Sequence, residues 1–461
     1  MTITLVLPQL VWHQLTDILG HPLETAGVLL ASIVVVDDEQ IRLLAREYHP
    51  VADTAYARRE VDGLTIDSVG YVPALARAEE LEAIAIWVHT HPGLGSSPRP
   101  SQHDVIVDSL LAETFRLRTG SDCYGALIFS PAERGFCFTG HLDFEGRGSR
   151  WIDRIWTVGD RFSLISNFEN EGGQTLGMFD RNIRAFGTAV QSTLSTLTVG
   201  IVGCGGTGSA VAEQLVRLGV RKFVLFDPDT LSESNLTRVI GSVASDVGRR
   251  KVNVTADHLK AVAPDSLCEC VSSMLTVDQA ARRLLSCDVV FGCSDDNAGR
   301  LILSRLPTYL LTPVIDCGVL LSSDSANQLT GIHGRVTTLL PGKACLLCRD
   351  RIDVARAAAE LMTPEERRRL ENEGYAPALG RIEPAVVTFT SLVAATAVSE
   401  LLERLIGYGP EPPPTEILLR FHDREISTNV ASPRLRHYCH PEMGHIGRGV
   451  TEPFLDMAWP K

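Results

Sequence analysis

The sequence predicts an α/β protein built as two domains of unequal size, and three observations predict it. With 461 residues the chain exceeds what one ordinary core organises. Its first third is a succession of short apolar runs separated by turn residues, with few helical stretches between them. From about residue 178 the rhythm becomes strand, glycine-rich turn, helix, strand, which is the pattern of parallel βαβ units in a doubly wound sheet.

In residues 1–150 the runs TITLVLP, AGVLLASIVVV, IRLLAREY, AIAIWVHTHP, YGALIFSP and GFCFTG read as strands, and stretches near 8–20 and 68–82 as helices. Residues 151–177 carry less pattern and end in NEGGQTLG, whose paired glycines and polar residues predict a linker. The second domain, 178–461, contains the strand TVGIVG, the helix SAVAEQLVRLG, the strand KFVLFD, a helix around 249–263 and the strand DVVFGCS. No internal repeat and no long low-complexity tract interrupts this order.

Composition narrows the functional classes. A hydrophobic share of 44% and a charged share of 21% describe a globular protein. No apolar run reaches the roughly 18 residues of a membrane span, and MTITLVLPQLVWHQL lacks the ordered regions of a secretory signal. A cytoplasmic protein without a membrane partner is expected. The formal net charge of -13 repels phosphate backbones, so nucleic acid is not an expected partner either. The 11 cysteines are scattered, with Cys123, Cys137, Cys287 and Cys293 in apolar strand-like contexts, and read as reduced core thiols.

Two constellations carry chemistry. In IAIWVHTHPGLGSSPRPSQHD, His89 and His91 stand two apart at the end of a strand, so both imidazoles face one side. Beyond a Gly/Pro/Ser loop come Ser101 and Asp104. Asp104 is a third ligand candidate, leaving a fourth position for water, which is the open arrangement of a catalytic zinc. His103 and His21 read as neighbours without a metal role. Upstream, Glu24 in PLETAGVLLAS directly precedes an apolar strand.

This set resembles the JAMM (JAB, MPN+) metalloprotease family: a distant Glu, then His-Ser/Thr-His-Pro, then Ser and Asp three apart. The resemblance implies a JAMM-type, cytidine-deaminase-like α/β domain that cleaves peptide or isopeptide bonds with Zn2+. It implies Glu24 as general acid and base, His89, His91 and Asp104 as ligands, and Ser101 as a stabiliser of the oxyanion. The loop between His91 and Ser101 is longer than the family's usual one.

In the second domain TVGIVG runs into Gly203, Cys204, Gly205, Gly206, Thr207 and Gly208 at the start of a helix, a turn whose amides and helix dipole suit phosphates. A dinucleotide-binding dehydrogenase would show the same glycines, and Asp227 would hold ribose in either case. The segments FDPDTLSESNLTRVIG, SDVGRRKVNV and FGCSDDNAGR decide between them, because basic groups neutralise charge on triphosphate and acids hold magnesium. With FDRNIRAFG before them and PAVVTFTSLVAATAVSELL after, they resemble the E1/ThiF/MoeB superfamily across about 178–445. The resemblance implies a Rossmann-like, doubly wound domain that uses ATP and Mg2+ to adenylate a C-terminal carboxylate. Gly203, Gly205, Gly206 and Gly208 would form the ATP loop and Asp227 would bind ribose. Asn235, Arg238 and Lys251 would contact phosphates, and Asp295 would hold magnesium, with Asp296 the second choice. Arg181 resembles the arginine that reaches a partner's site, which implies a homodimer.

Cys345 and Cys348 form CLLC after Pro341-Gly342, where the related enzymes carry half of a structural Zn2+ site. The tail RLRHYCHPEMGH offers Cys439 with His437 or His440, and the expected set is Cys345, Cys348, Cys439 and His440; loss of the metal is the alternative. Many E1 enzymes then transfer the modifier to a cysteine in a crossover loop. Residues 351–400, including TPEERRRLENEG, contain no cysteine. Cys317 and Cys204 are the alternatives near the site, each more simply read as a core thiol.

The fusion resembles bacterial proteins of ubiquitin-like conjugation, in which one chain trims or removes a modifier and also activates it. The expected partners are a ubiquitin-like or sulfur-carrier protein, an E2-like protein and a second copy of the chain. Sulfur-carrier activation, with release of a carrier adduct by the JAMM half, and a catalytically inactive binding scaffold are the other two readings.

Overall fold

A computed structural model of the chain describes residues 1–459 apart from 94–97, 133–134, 168–176, 325–327, 363–364, 367–368 and 370–384. Two units separate, Met1–Gly173 with Gly447–Gly449, and Gln174–Ile446 with Val450–Lys461.

The first unit contains β1 Thr2–Pro8, β2 Ala26–Asp37, β3 Gln40–Pro50, β4 Tyr56–Arg59, β5 Leu64–Ile66, β6 Ile84–Thr90, β7 Cys123–Pro131, β8 Phe136–Phe144, β9 Gly148–Trp151, β10 Arg154–Val158 and β11 Ser163–Ser166. Its helices are α1 Gln9–Leu19, α2 Val72–Glu80 and α3 Gln102–Thr119. Nine of the strands form one mixed sheet in the order β11-β10-β1-β3-β2-β6-β7-β8-β9, and β4 and β5 pair separately.

Strand parity divides the core. Ile3, Leu5 and Leu7 of β1 and Ile84, Ile86 and Val88 of β6 pack with Val11, Leu15 and Ile18 of α1. The opposite parity, Val28 and Leu30 of β2 with Ala85 and Trp87 of β6, packs with Leu75 of α2 and Leu111 and Phe115 of α3. A sheet covered on both faces needs apolar residues at successive positions, which is why these strands appear in the sequence as unbroken apolar runs. His89 has the parity of Ala85 and Trp87, so it faces the side that carries α3.

Two elements differ from the sequence expectation. Residues 154–166 are not linker: β10 pairs in parallel with β1 from Thr4↔Arg154 to Pro8↔Val158, and β11 pairs with β10. RIWTV and SLIS are each too short for a period to stand out beside the polar turn between them. The rest of the expected linker, 168–176, lies outside the described residues, as does most of TPEERRRLENEG. The second difference is α3, which the pattern did not reveal. Its Val105, Ile106, Leu110 and Leu117 are exposed, so apolar residues ring the helix and blur the 3.6-residue period.

The second unit contains α4 Asp180–Thr196, β12 Thr198–Val202, α5 Gly206–Leu218, β13 Lys222–Phe226, α6 Lys251–Val262, β14 Leu267–Val271, β15 Val289–Gly292, β16 Val314–Ser323, β17 Leu329–Leu339, β18 Glu416–Arg420 and β19 Glu425–Asn429. The sheet order is β14-β13-β12-β15-β16-β17-β18-β19. Neighbours from β14 to β16 pair in parallel and those from β16 to β19 antiparallel. The chain steps outward from β12 to β14, returns, and continues from β15 in the other direction. A crevice therefore opens beyond the C-terminal ends of β12 and β15, the switch point where such sheets bind ligands. No helix among the described residues is long and apolar enough to cross a membrane.

Candidate functional sites

The first site is assembled by register. Strands β2 and β6 pair antiparallel with Ala26 opposite His89, and two further residues along each chain bring Glu24 opposite His91. Glu24 Oε1 lies 3.8 Å from His91 Nε2. Asp104, in the first turn of α3, reaches back with Oδ1 at 3.5 Å from His89 Nε2 and Oδ2 at 3.5 Å from His91 Nε2. One ligand atom from each of His89, His91 and Asp104 lies within 4.8 Å of the others.

The residues fit a zinc ion. Both ring nitrogens of His89 are buried and meet no hydrogen-bond partner; Nε2, which faces Asp104, is the one that a metal would engage, and leaving it unmet costs free energy. Burial pushes the Asp104 carboxyl up, but the imidazoles of His89 and His91 outweigh it and hold it well below the usual carboxylate range. Glu24, 6% exposed, behaves oppositely: burial raises it to about 7 against the pull of His91. A base poised near neutrality beside an open metal position is the arrangement that water activation requires. The surrounding cavity, about 870 Å³, is lined by all four of these residues and by Ser101.

Ser101 is the N-cap of α3: its Oγ accepts from the Asp104 amide at 3.1 Å, and Asp104 Oδ2 accepts from the Ser101 amide at 2.6 Å. The Ser-x-x-Asp spacing is thus a capping box that aims the Asp104 carboxylate. Residues 94–97 of the long loop before it lie outside the described residues.

The second site occupies the crevice of the parallel sheet, a cavity of about 1280 Å³ lined by Gly203, Gly205, Gly206, Asp227, Asn235, Arg238, Lys251 and Asp295. Gly203 has φ +93, and a Cβ there would stand 2.8 Å from Cys293 O, so the loops after β12 and β15 abut. Gly208 does not line the cavity; a Cβ on it would lie 1.8 Å from Gly203 O, so it is the residue that lets α5 close on the loop. Asp227 accepts from the Cys204 amide at 2.8 Å and the Asp229 amide at 3.0 Å, and its burial raises its carboxyl. Lys251 Nζ lies 2.7 Å from Asp229 and 3.7 Å from Asp227. Asn235 is buried and caps its own turn, its Oδ1 accepting from the Ser232 amide. Asp296 spends an oxygen capping the helix Asn297–Leu303 through the Gly299 amide at 2.5 Å. Asp295 is exposed to the cavity.

Two arginines that line the cavity, Arg300 and Arg335, belong to an ion cluster the sequence reading missed. Fully buried Asp316 accepts from Arg300 Nε at 3.0 Å and Nη2 at 2.8 Å, and from Arg335 Nη2 at 2.7 Å. Nothing in the local sequence joins β16 to β17; only the antiparallel register does. Arg181, by contrast, is exposed at the start of α4 and does not line this cavity.

The third site corrects an expectation. Cys345, Cys348 and Cys439 gather around His437, not His440. His437 Nδ1 is 3.6, 3.4 and 3.3 Å from the sulfurs of Cys345, Cys348 and Cys439, and Cys348 and Cys439 are 3.6 Å apart. These edges suit a tetrahedron with zinc bonds of roughly 2.0–2.3 Å. His440 instead caps the next turn, its Nδ1 accepting from the Glu442 amide at 3.3 Å. The other eight cysteines lie outside this cluster. Burial raises the Cys204 thiol, and a bond to Cys317 with burial raises Cys293, so these two favour the protonated form.

A family model for the ThiF family matches residues 179–440, and one for prokaryotic homologues of the JAB domain matches residues 6–133. Among curated proteins, the ubiquitin-like modifier-activating enzyme 5 of Oryza sativa subsp. japonica is 26% identical over 230 residues, 47% of this chain and 49% of that protein. The protein of the same name from Arabidopsis thaliana is 27% identical over 233 residues, again 47% and 49%. The chain spans about half the length of the curated relatives it matches. Among solved structures, E. coli MccB with AMPCPP and MccA has a TM-score of 0.45 and 17% identity, over 59% of this chain and 76% of that one.

Proposed function

The chain belongs to the ThiF family and carries a JAB-homologous domain before it, and on that premise we propose a bifunctional enzyme of a ubiquitin-like modification pathway. The second unit adenylates the C-terminal carboxylate of a ubiquitin-like or sulfur-carrier protein. The first cleaves peptide or isopeptide bonds at that terminus.

The observation that carries the adenylating role is the convergence of Gly203, Gly205, Gly206, Asp227, Asn235, Arg238, Lys251 and Asp295 on one cavity. The modifier's carboxylate attacks the α-phosphate of ATP, giving an acyl-adenylate and pyrophosphate. The loop amides and the α5 N-terminus bind phosphate oxygens, Asp227 binds ribose, and Arg238 and Lys251 neutralise charge that builds on the phosphates. Asp295 would hold Mg2+, which would supply neutralisation of charge on the triphosphate. Positioning supplies most of the acceleration in such a step. The lack of a cysteine in residues 351–400, with burial favouring the protonated thiol at Cys204, supports passing the acyl group to a cysteine on another protein, E2-like or sulfur-transferring. Arg181, exposed at the start of α4, is available to complete the site of a partner subunit in a homodimer. Pyrophosphate exchange with ATP and candidate modifiers tests this half. Exchange that persists in Asp295→Ala would falsify the magnesium assignment.

In the first unit His89, His91 and Asp104 would hold Zn2+, which supplies a Lewis acid that polarises the scissile carbonyl and acidifies water. Glu24 takes a proton from the attacking water and gives it to the leaving amine, a role suited to its raised pKa. Ser101 holds Asp104 in place and offers its hydroxyl hydrogen to the oxyanion. Peptide cleavage retained by zinc-loaded Glu24→Ala would remove this mechanism.

A further inference from the structure

A polar chain in the metal cavity has no place in the chemistry above. Tyr124, fully buried on β7, donates its hydroxyl to Asp108 Oδ1 at 2.8 Å. The other oxygen, Asp108 Oδ2, lies 3.1 Å from His141 Nε2 on β8. Asp108 sits one helical turn beyond Asp104, so the helix that supplies the third metal ligand also supplies the centre of this chain. His141 is paired in register with Trp151 of β9, and the two rings meet edge to face at 6.2 Å. His141, Asp108 and Trp151 line the same cavity as Glu24, His89 and His91.

The tautomer follows from donor counting. An ionised carboxylate only accepts, so Asp108 takes the Tyr124 hydroxyl hydrogen on one oxygen and the Nε2 hydrogen of His141 on the other. With that hydrogen on Nε2, it is the neutral ring that presents Nδ1 as an acceptor, much as carboxylates fix histidine tautomers in catalytic sites. An acceptor backed by a buried Tyr–Asp pair, beside an indole, complements a peptide N–H lying across an aromatic face.

Resting on the peptidase reading, we infer that His141 is a substrate-binding residue of the metal cavity: its Nδ1 accepts a backbone N–H of the bound modifier tail, Asp108 and Tyr124 position it, and Trp151 covers the tail. The interaction is made equally in ground and transition states, so it acts on KM and leaves kcat unchanged.

The test uses the full zinc-loaded chain and a fluorogenic peptide ending in Gly-Gly joined to the ε-amine of a lysine peptide. His141→Gln keeps an amide near Asp108 but withdraws the acceptor at the Nδ1 position, whereas His141→Asn places an amide oxygen there. KM is expected to rise about tenfold in His141→Gln with kcat within twofold, and to recover partly in His141→Asn, which is the scale of one hydrogen bond. In parallel, calorimetry measures binding of the Gly-Gly peptide to Glu24→Ala with and without His141→Gln, expected to differ about tenfold. Unchanged KM and affinity in His141→Gln overturn the inference, as does a fall in kcat together with lost zinc, which would assign His141 to the metal centre. If the wild-type chain cleaves nothing, the peptidase reading fails. The calorimetric arm still decides His141: equal or absent binding in both proteins rejects it, and a tenfold difference upholds it.

Discussion

Ser101 and Asp104 hold each other in a closed pair, the amide of each donating to the side chain of the other at 2.6 and 3.1 Å. The cap fixes the start of α3 and aims the Asp104 carboxylate at the two histidines. Ser101→Ala is expected to lower zinc affinity of the first unit about tenfold to a hundredfold, the range for partners that orient a ligand, and stability by about 1 kcal/mol. Competition with a calibrated chelator reads the first and urea unfolding the second. Unchanged zinc affinity would show that Asp104 is aimed by the helix alone.

The two histidines of the C-terminal tail separate cleanly. His437→Ala is expected to cost about one equivalent of bound zinc and to lower the melting temperature, because a structural metal contributes folding free energy. His440→Ala should retain the full complement and lose only a cap. Metal content by elemental analysis, paired with thermal melts with and without chelator, distinguishes them; equal losses would return His440 to the site.

Asp295 and Asp296 should likewise divide. Asp295→Ala is expected to reduce ATP–pyrophosphate exchange by at least about a hundredfold, the scale on which removing one preorganised charge-stabilising group acts, while the melting temperature holds. Asp296→Ala removes the bond to the Gly299 amide and should cost about 1 kcal/mol of stability. The reverse pattern would exchange their roles.

Glu416, 1% exposed, accepts from Arg351 at 3.1 and 3.0 Å, from Asn429 at 2.7 Å and from Thr337 at 3.2 Å. Burial pushes its carboxyl up, but these donors, Arg351 foremost, prevail and bring it to about 2. A carboxyl lowered in the folded state contributes stability that is complete above its unfolded value near 4.5 and is lost as pH falls toward 2. The gap in unfolding free energy, read from urea titrations, between wild type and Glu416→Gln should therefore be widest near pH 6, on the order of 2 kcal/mol, and narrow steadily below pH 4.5. A gap independent of pH would mean that the ionised form is not what Arg351 stabilises.

What the sequence made legible follows the range of the interactions involved. His89 and His91 were readable because period-two geometry is local, and the glycine turn because positive φ and close approach demand glycine at Gly203 and Gly208. The choice of His437 over His440 depends on how a tail without regular structure folds against CLLC, and no period records that. Tyr124, Asp108 and His141 come from a strand, a helix and another strand, so only tertiary structure joins them. The Asp316 cluster is hidden for the same reason. β10 was lost because a strand added beside β1 from far along the chain leaves five residues of pattern and no more.

The parity of β6 has one more consequence. Even-numbered residues of this strand pack against α1, and odd-numbered ones, His89 among them, face α3. Inserting or deleting a single residue upstream of His89 within the strand would turn both imidazoles toward the α1 side while leaving a strand of nearly the same composition. A one-codon event of this kind would therefore disperse the cluster of His89, His91 and Asp104, and it would cost stability as well, because the layer under α1 that receives the imidazoles is apolar.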